Sequence, residues 1–122
     1  MPNTFDWIEI HTHDISRAAE FYRQLFGWDV QQQDQNDGHP YWIFDTGESP
    51  RVEHLRRGGI WLRPAGESRG VMVYVCVQSI DEALARVITL GGKVITTKTS
   101  QGESFRASFA DPEGNVIGLW EG

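Results

Sequence analysis

The sequence predicts an α+β protein that is built from two consecutive βαβββ units. Strand-like alternation of apolar and polar residues occurs near the start of the chain and again from residue 71. An amphipathic helix pattern and three further strand-like segments follow each of these strands. A shift of 65 positions places Ile15 on Ile80 and Phe44 on Phe109, so the same order of elements occurs twice.

The first unit is predicted to cover about residues 4–63. Phe5–His11 alternates as a half-buried strand does, and Asp14 is placed to cap a helix that Gly27 ends. The other strands predicted in this unit are Trp28–Gln33, Tyr41–Asp45 and Gly59–Arg63.

The second unit is predicted to cover about residues 71–120, after a linker at residues 64–70. Val71–Val77 is the strongest strand pattern in the chain, and Ser79 with Glu82 forms a capping box for the second helix. The remaining strands of this unit are predicted at Lys93–Thr99, Ser104–Ala110 and Asn115–Trp120.

Length and composition are those of one small globular domain over residues 1–122. The chain is 39% hydrophobic, and no apolar run approaches the roughly 20 residues that cross a bilayer. Net charge is −6 with no basic cluster beyond Arg56-Arg57, which argues against a nucleic-acid partner. Cys76 is the only cysteine and the N-terminus lacks a signal-peptide pattern, so we expect a cytoplasmic protein that is not membrane-bound.

Two segments of the chain carry a family resemblance. With "DISRAAEFYRQLFGW" near the start and "FADPEGNVIGLW" near the end, the sequence resembles the vicinal oxygen chelate superfamily. That superfamily includes glyoxalase I, bleomycin-resistance proteins and extradiol dioxygenases, and the chain is most similar to short bacterial glyoxalase-like proteins. The resemblance implies curved mixed sheets around a groove, with the two helices outside.

The resemblance also implies where a metal would be bound. Metal-dependent members carry ligands on the first and fourth strand of each unit, which here are Trp7 and Trp61, then Met72 and Gly118. The fourth-strand positions follow from matching "IWL" of the first unit with "IGL" of the second. Only Met72 has a donor atom, a soft thioether, so we expect a lost metal site and no resident metal or cofactor.

One face of the predicted strands collects aromatic and polar side chains, whereas the opposite, aliphatic face suits packing on a helix. The candidate ligand-binding residues on that face are Trp7, Glu9, His11, Trp61, Arg63, Met72, Tyr74, Gly118 and Trp120. Such a mixture is typical of small-molecule pockets. The alternative is that the tryptophans only fill the space between the sheets.

Glu9 is the candidate catalytic residue, and two interpretations of it remain open. It forms a salt bridge, for which Arg63 is the candidate partner, or it is a desolvated carboxylate that acts as a base or binds a cation. The His11-x-His13 pattern could place two imidazoles on one strand face, but His13 lies beside the helix cap and is expected to leave the strand.

Three functions are therefore considered. The preferred one is a bleomycin-resistance-like protein that binds a small aromatic or cationic molecule in an aromatic groove. The second is a glyoxalase-like lyase or isomerase that acts on a small carbonyl compound, with Glu9 as base and Arg63 or Tyr74 stabilising the oxyanion. The third is a structural or partner-binding domain. We also expect a homodimer, since symmetric dimers are the commonest oligomers.

Overall fold

Two successive βαβββ repeats are present, as the sequence predicts. The computed structural model describes residues 3–32, 40–47, 57–63 and 70–122. The elements in chain order are β1 (Thr4–Thr12), α1 (Ile15–Phe26), β2 (Asp29–Gln31), β3 (Tyr41–Asp45), β4 (Arg57–Leu62), β5 (Gly70–Cys76), α2 (Ile80–Thr89), β6 (Lys93–Gln101), β7 (Ser104–Ala110) and β8 (Val116–Glu121). The predicted α+β fold class is confirmed.

The chain divides into two compact units. We call residues 7–72 the N-terminal unit, and residues 1–6 with 73–122 the C-terminal unit. The strand order is β2-β3-β4-β1 in the N-terminal unit and β5-β8-β7-β6 in the C-terminal unit. In each unit one pair is parallel, β1 with β4 and β5 with β8, whereas the other pairs are antiparallel. Both sheets are therefore mixed.

Both helices begin, and α1 ends, at the residues that the sequence indicates, whereas α2 ends at Thr89, before the predicted Leu90. The Asp14 carboxylate accepts a hydrogen bond from the Arg17 backbone amide at 3.1 Å, which caps α1. Gly27 ends α1 with a φ of 73°, a conformation that glycine adopts without strain. The Ser79 hydroxyl accepts from the Glu82 amide at 3.2 Å at the start of α2. Local capping chemistry thus fixes where both helices start.

Each helix packs on the aliphatic face of its own sheet. In the N-terminal unit the buried cluster between them contains Ile15, Ala19, Val30, Trp42, Phe44 and Ile60. In the C-terminal unit it contains Val77, Ile80, Leu84, Ala107 and Leu119. Because side chains alternate along a strand, the polar and aromatic residues of the same strands lie on the face away from the helix.

Several predicted boundaries need correction. Trp28 precedes β2 rather than starting it, and β4 begins at Arg57 and ends before Arg63. Gly70 already belongs to β5, while residues 64–69 of the predicted linker lie outside the described residues. None of the helices in the described part of the chain is both long and apolar enough to cross a membrane.

Candidate functional site

A chain of hydrogen bonds around Glu9 lies on the face of the N-terminal strands that points away from α1. We call this face, and its equivalent in the C-terminal unit, the open face. Glu9 is only 4% exposed, and its Oε2 accepts a hydrogen bond from the Tyr41 hydroxyl at 2.9 Å. The same Tyr41 oxygen accepts from the Trp7 indole N–H at 2.7 Å. The other carboxylate oxygen, Oε1, lies 2.7 Å from His11 Nε2. Strand β1 therefore supplies three members of this chain at alternate positions, and β3 supplies Tyr41.

An aromatic wall adjoins His11. Trp61 on β4 is the register partner of His11 on β1, and the His11 ring meets it edge-on with ring centroids 5.6 Å apart. The Arg63 guanidinium carbon lies 4.2 Å from the centre of the Trp61 ring. This is a cation–π contact, so the protein already places a positive group on one side of the indole.

The Glu9 carboxylate is buried and hydrogen-bonded, whereas the His11 imidazole is partly exposed. A buried carboxylate needs hydrogen-bond donors, and the Tyr41 hydroxyl provides one for Glu9. The His11 side chain is 14% exposed, so it is more accessible to a ligand than Glu9 is. Arg63, the partner predicted for Glu9, packs on Trp61, and Glu9 contacts Tyr41 and His11. A salt bridge between Glu9 and Arg63 stays a prediction. His13 lies in the bend after β1 and is exposed, as expected.

Tyr41 is the site residue that the sequence analysis missed. The predicted site residues all belong to the first and fourth predicted strands of the two units, although β3 alternates as clearly as these strands do. Trp42 and Phe44 belong to the helix-side cluster, so Tyr41 and Ile43 lie on the opposite face. Tyr41 is also the register partner of Trp61. Alternation within "YWIF" was the signal that could have identified it.

Gly118 lies beneath a tyrosine ring in the C-terminal unit. Tyr74 on β5 is its register partner on β8 and is only 6% exposed. A Cβ at position 118 would lie 2.6 Å from Tyr74 Cδ2, which is closer than Cβ atoms approach other groups. The glycine is therefore required by packing of the Tyr74 ring.

The strand register corrects one sequence equivalence. Glu9 pairs with Gly59 in the N-terminal unit, and Tyr74, which is 65 positions after Glu9, pairs with Gly118. The counterpart of Gly118 is therefore Gly59, not Trp61. A Cβ at Gly59 would overlap the Tyr41 hydroxyl, so a tyrosine covers the glycine in this unit too.

Trp61 and Trp120 are counterparts by the same reasoning. Trp61 pairs with His11, and Trp120 pairs with Cys76, which is 65 positions after His11. The match of "IWL" with "IGL" was two residues out of register. A two-residue slip keeps every apolar residue on its original face, so hydrophobic alternation alone could not reveal it. Trp120 is 37% exposed on the open face of the C-terminal unit.

The residues at the family's ligand positions do not fit a divalent metal. After correction these positions are Trp7 and Gly59, then Met72 and Gly118. They offer one thioether, which is too soft a donor for zinc, nickel or manganese. Within residues 3–32, 40–47, 57–63 and 70–122, no group of three or more His, Cys, Asp or Glu side chains could hold a metal ion.

Sequence comparisons connect the chain to known proteins. A family model described as a glyoxalase-like domain matches residues 7–120. The "Putative glyoxylase CFP32" of Mycobacterium tuberculosis is 29% identical over 123 residues, covering 97% of this chain and 45% of that protein. The anthracycline biosynthesis protein DnrV of Streptomyces peucetius is 29% identical over 130 residues, covering 98% and 47%. The chain thus spans about half the length of these curated relatives.

Solved structures show the same fold. The hypothetical protein BH1468 from Bacillus halodurans C-125 has a TM-score of 0.74 at 18% identity, covering all of this chain and 96% of that one. A methylmalonyl-CoA epimerase in complex with methylmalonyl-CoA and NH4+ has a TM-score of 0.70 at 18% identity, covering 99% and 95%. At these identities the likeness concerns the fold.

Proposed function

We propose, for a chain that belongs to the glyoxalase-like domain family, that the open face of the N-terminal unit binds a small aromatic or cationic molecule. The observation that carries the proposal is the hydrogen-bonded chain from Trp7 through Tyr41 and Glu9 to His11. It holds a buried carboxylate beside aromatic rings, and ligand sites commonly combine an aromatic wall with a few fixed polar groups.

Charge and ring chemistry favour this ligand class. Arg63 over Trp61 illustrates that the indole accepts a cation, and such contacts contribute about 0.5–2 kcal/mol. The Glu9 carboxylate and the net charge of −6 also attract cations. Arg63 itself opposes a cationic ligand, since it repels one and occupies one side of the Trp61 ring.

Titration with two probes tests the proposal. Benzyltrimethylammonium and benzyl alcohol are added to the full chain with its indole nitrogens labelled with ¹⁵N. We expect the Trp7 and Trp61 signals to shift, and Trp61→Leu to weaken binding. Arg63→Gln should raise affinity for the cationic probe severalfold, as expected for one exposed cation–π partner. Trp28→Phe, on the helix side of the sheet, is the matched control and should leave binding unchanged.

The remaining candidate residues are tested in the same titration. Met72, Tyr74 and Trp120 were predicted to share the ligand site, and Trp120→Leu asks whether the C-terminal unit contributes. Unshifted Trp7 and Trp61 signals with both probes would contradict the binding proposal and would favour a structural or partner-binding domain.

A second candidate function is supported by the 2.7 Å contact between Glu9 and His11. A carboxylate paired with an imidazole is suited to proton transfer, which a lyase or isomerase acting on a small carbonyl compound requires. Proton exchange at the methylmalonyl group of methylmalonyl-CoA, measured in D₂O, tests it. Exchange that wild type catalyses and Glu9→Gln abolishes would support an enzyme with Glu9 as base, whereas no exchange above the buffer rate would argue against it.

We also propose that the chain forms a homodimer. Three large apolar side chains on α1 are exposed: Phe21 (57%), Leu25 (57%) and Phe26 (59%). Exposed apolar groups on one element are typical of surfaces that another molecule covers. Analytical ultracentrifugation at micromolar concentration should show a dimer that Leu25→Glu dissociates. A species of monomer size alone would contradict this proposal.

A further inference from the structure

The residue that follows the glycine at each helix end differs between the units, and the cavity beside it is larger in the C-terminal unit. Gly27 follows α1 with a φ of 73°, and Gly91 follows α2 with a φ of 95°. Trp28 is the next residue in the N-terminal unit, and Gly92 is the next residue in the C-terminal unit. Both helix ends therefore place Trp28 and Gly92 at equivalent positions.

The strand register gives the same equivalence independently. Val30 pairs with Phe44, and Val94 pairs with Phe109, the counterpart of Phe44. Two residues before each valine are Trp28 and Gly92. An indole in one repeat thus corresponds to a residue without a side chain in the other.

Aromatic rings fill this position in the N-terminal unit. The Trp28 ring stacks on Phe44 with centroids 4.8 Å apart and planes 12° from parallel. Tyr22 stacks on Trp28 in turn, with centroids 5.1 Å apart and planes 13° from parallel. Tyr22, Trp28 and Phe44 thus form a column of three rings, the aromatic column. The counterpart of Tyr22 in α2 is Val87, so the C-terminal unit lacks both upper rings of the column and keeps only the lowest, Phe109.

A cavity of about 400 Å³ lies at this place in the C-terminal unit. Val87, Gly92 and Phe109 line it, together with aliphatic side chains of β5 and β8. Its volume lies within the range of about 300–1,000 Å³ that is typical of small-molecule sites. The corresponding cavity of the N-terminal unit measures about 280 Å³, and Tyr22 and Trp28 form part of its wall.

The C-terminal unit cannot fill its cavity from position 92. A Cβ at Gly92 would lie 2.7 Å from the Ala110 carbonyl oxygen and 2.8 Å from Val87 Cγ1. The Gly92 amide also donates to the Val87 carbonyl at 2.8 Å, which fixes the backbone there. Packing at this helix end therefore excludes a side chain at position 92, and the space beside Phe109 stays unfilled.

The mouth of the cavity is lined by one cationic side chain, Arg86, and one carboxylate, Asp111. Arg86 lines it and is exposed, and within the described residues no carboxylate lies within 4.0 Å of its guanidinium. Asp111 keeps its negative charge, but both of its oxygens accept hydrogen bonds from its own turn, from Glu113 and Asn115. Asn3 adds a neutral amide. Arg86 is therefore the group of this lining that can pair with an anionic group of a ligand.

We infer that the C-terminal unit has a ligand site of its own, beneath α2, for a planar aromatic molecule that carries a carboxylate. The ring occupies the place that Trp28 fills in the other repeat and stacks on Phe109. The carboxylate pairs with Arg86. This site lies on the helix side of the sheet, so it does not depend on the function proposed for the open face.

Three indole probes of different charge test the site on the full chain. Indole-3-acetate is the anionic probe, indole the neutral one and tryptamine the cationic one, and binding is followed by backbone amide shifts. We expect indole-3-acetate to bind most tightly and tryptamine most weakly, with the largest shifts within residues 86–92 and 109–112.

Two variants separate the contributions of charge and space. Arg86→Gln should reduce affinity for indole-3-acetate about fivefold, the upper end for an exposed charge pair, and leave affinity for indole unchanged. Arg17→Gln, an exposed arginine of α1, is the matched control and should change neither. Val87→Tyr restores the ring that Tyr22 supplies in α1 and should abolish binding of all three probes.

Four outcomes would overturn the inference. They are no binding of indole-3-acetate at millimolar concentration, equal affinities for the three probes, shifts centred on residues of the N-terminal unit, and unchanged binding in a folded Val87→Tyr variant. Because Arg86 is exposed, Arg86→Gln keeps the fold and tests the charge component even where Val87→Tyr does not fold.

Discussion

At equivalent register positions the two repeats differ in the polar contacts on the open face and in the space left on the helix side. On the open face of the N-terminal unit, Glu9 and His11 form a polar contact, and at the equivalent positions the C-terminal unit has Tyr74 and Cys76. On the helix side the order is reversed. The N-terminal unit has stacked aromatic rings at the end of its helix and a cavity of about 280 Å³ beside them, whereas the C-terminal unit has a larger cavity of about 400 Å³ there.

The two proposed sites would place binding chemistry on opposite sides of the sheet in the two repeats. A β-strand offers both faces at alternate residues, so the pattern of elements does not determine which face carries a ligand. What the repeats share is the glycine of the last strand beneath a tyrosine, Gly59 under Tyr41 and Gly118 under Tyr74. The tyrosines differ in origin, since Tyr41 lies on β3 and Tyr74 on β5.

The largest effect is expected where the shared glycines are replaced. Gly118→Glu must displace the Tyr74 ring and bury a carboxylate, so we expect a loss of more than about 3 kcal/mol in the free energy of unfolding. Chemical denaturation measures it. Gly118→Glu should not produce metal-dependent turnover, since the other ligand positions lack suitable donors. Strong nickel- or zinc-dependent activity in this variant would refute the lost-metal interpretation.

Gly118→Ala is the milder form of the same test. Overpacking by one methyl group should cost about 1–3 kcal/mol without any ligand present. In a Tyr74→Ala background the added methyl has room, so the cost should largely disappear. Equal costs in both backgrounds would show that the Tyr74 ring is not what requires the glycine.

Removal of Trp28 should make the N-terminal unit resemble the C-terminal one. Trp28→Ala deletes the middle ring of the aromatic column, and we expect a loss of about 3 kcal/mol, the lower end for a large aromatic because Trp28 is half-buried. Ile88→Ala, on α2, is the control. Ile88 is 64% exposed, so its loss should stay within about 0.5 kcal/mol in thermal or chemical unfolding.

Removal of one hydroxyl tests the polar face. Tyr41→Phe leaves the Trp7 N–H without its acceptor and Glu9 Oε2 without its donor, so a loss of about 1–3 kcal/mol is expected. Tyr22→Phe provides a matched control, because its ring lies in the aromatic column of the helix side. An equal effect of the two substitutions on the unfolding midpoint would show that the Tyr41 hydrogen bonds contribute nothing special.

Much of this architecture could be predicted from local sequence patterns. Helix caps and alternation are set by neighbouring residues, so Asp14, Ser79 and the aliphatic faces were interpreted correctly. Strand register was not, because a slip of two residues between Trp61 and Gly118 preserves the apolar pattern. Pairing partners far apart in the chain determine register, and a single sequence does not record them.

The site residues were predictable to different degrees for a similar reason. Glu9 and His11 alternate on one strand, so their shared face followed from the sequence, as did that of Trp61 within β4. The contact of Glu9 with Tyr41 depends on a β3–β4 pairing over a separation of 20 residues. The cavity beneath α2 depends on where the helix ends relative to β6, which only the three-dimensional comparison of Trp28 with Gly92 identifies.

The smallest expected effect on stability comes from replacing Glu121, whose carboxylate contacts the start of α2. Glu121 Oε1 accepts a hydrogen bond from the Ile80 amide at 2.7 Å, and Oε2 lies 3.3 Å from Lys98 Nζ. Trp120, the residue before Glu121, is the counterpart of Trp61 by strand register, so the counterpart of Glu121 is Leu62. Leu62 has no carboxylate, and α1 therefore receives no such contact. The hydrogen bond from Ile80, with a smaller contribution from Lys98 and against the opposing effect of burial, lowers the pKa of Glu121 below its ordinary value.

The lowered pKa of Glu121 fixes the sign of a pH dependence. Stability from this group is fully present above the pKa that the carboxyl has in the unfolded chain, and it is lost as the pH falls through the lower folded pKa. Glu121→Gln should therefore lower the Tm slightly at pH 7, and the difference from wild type should vanish as Glu121 becomes protonated in acid. Leu62→Gln, at the equivalent position beside α1, should show no such change with pH. A Tm difference for Glu121→Gln that grows toward acid pH would contradict stabilisation of α2 by the charged carboxylate.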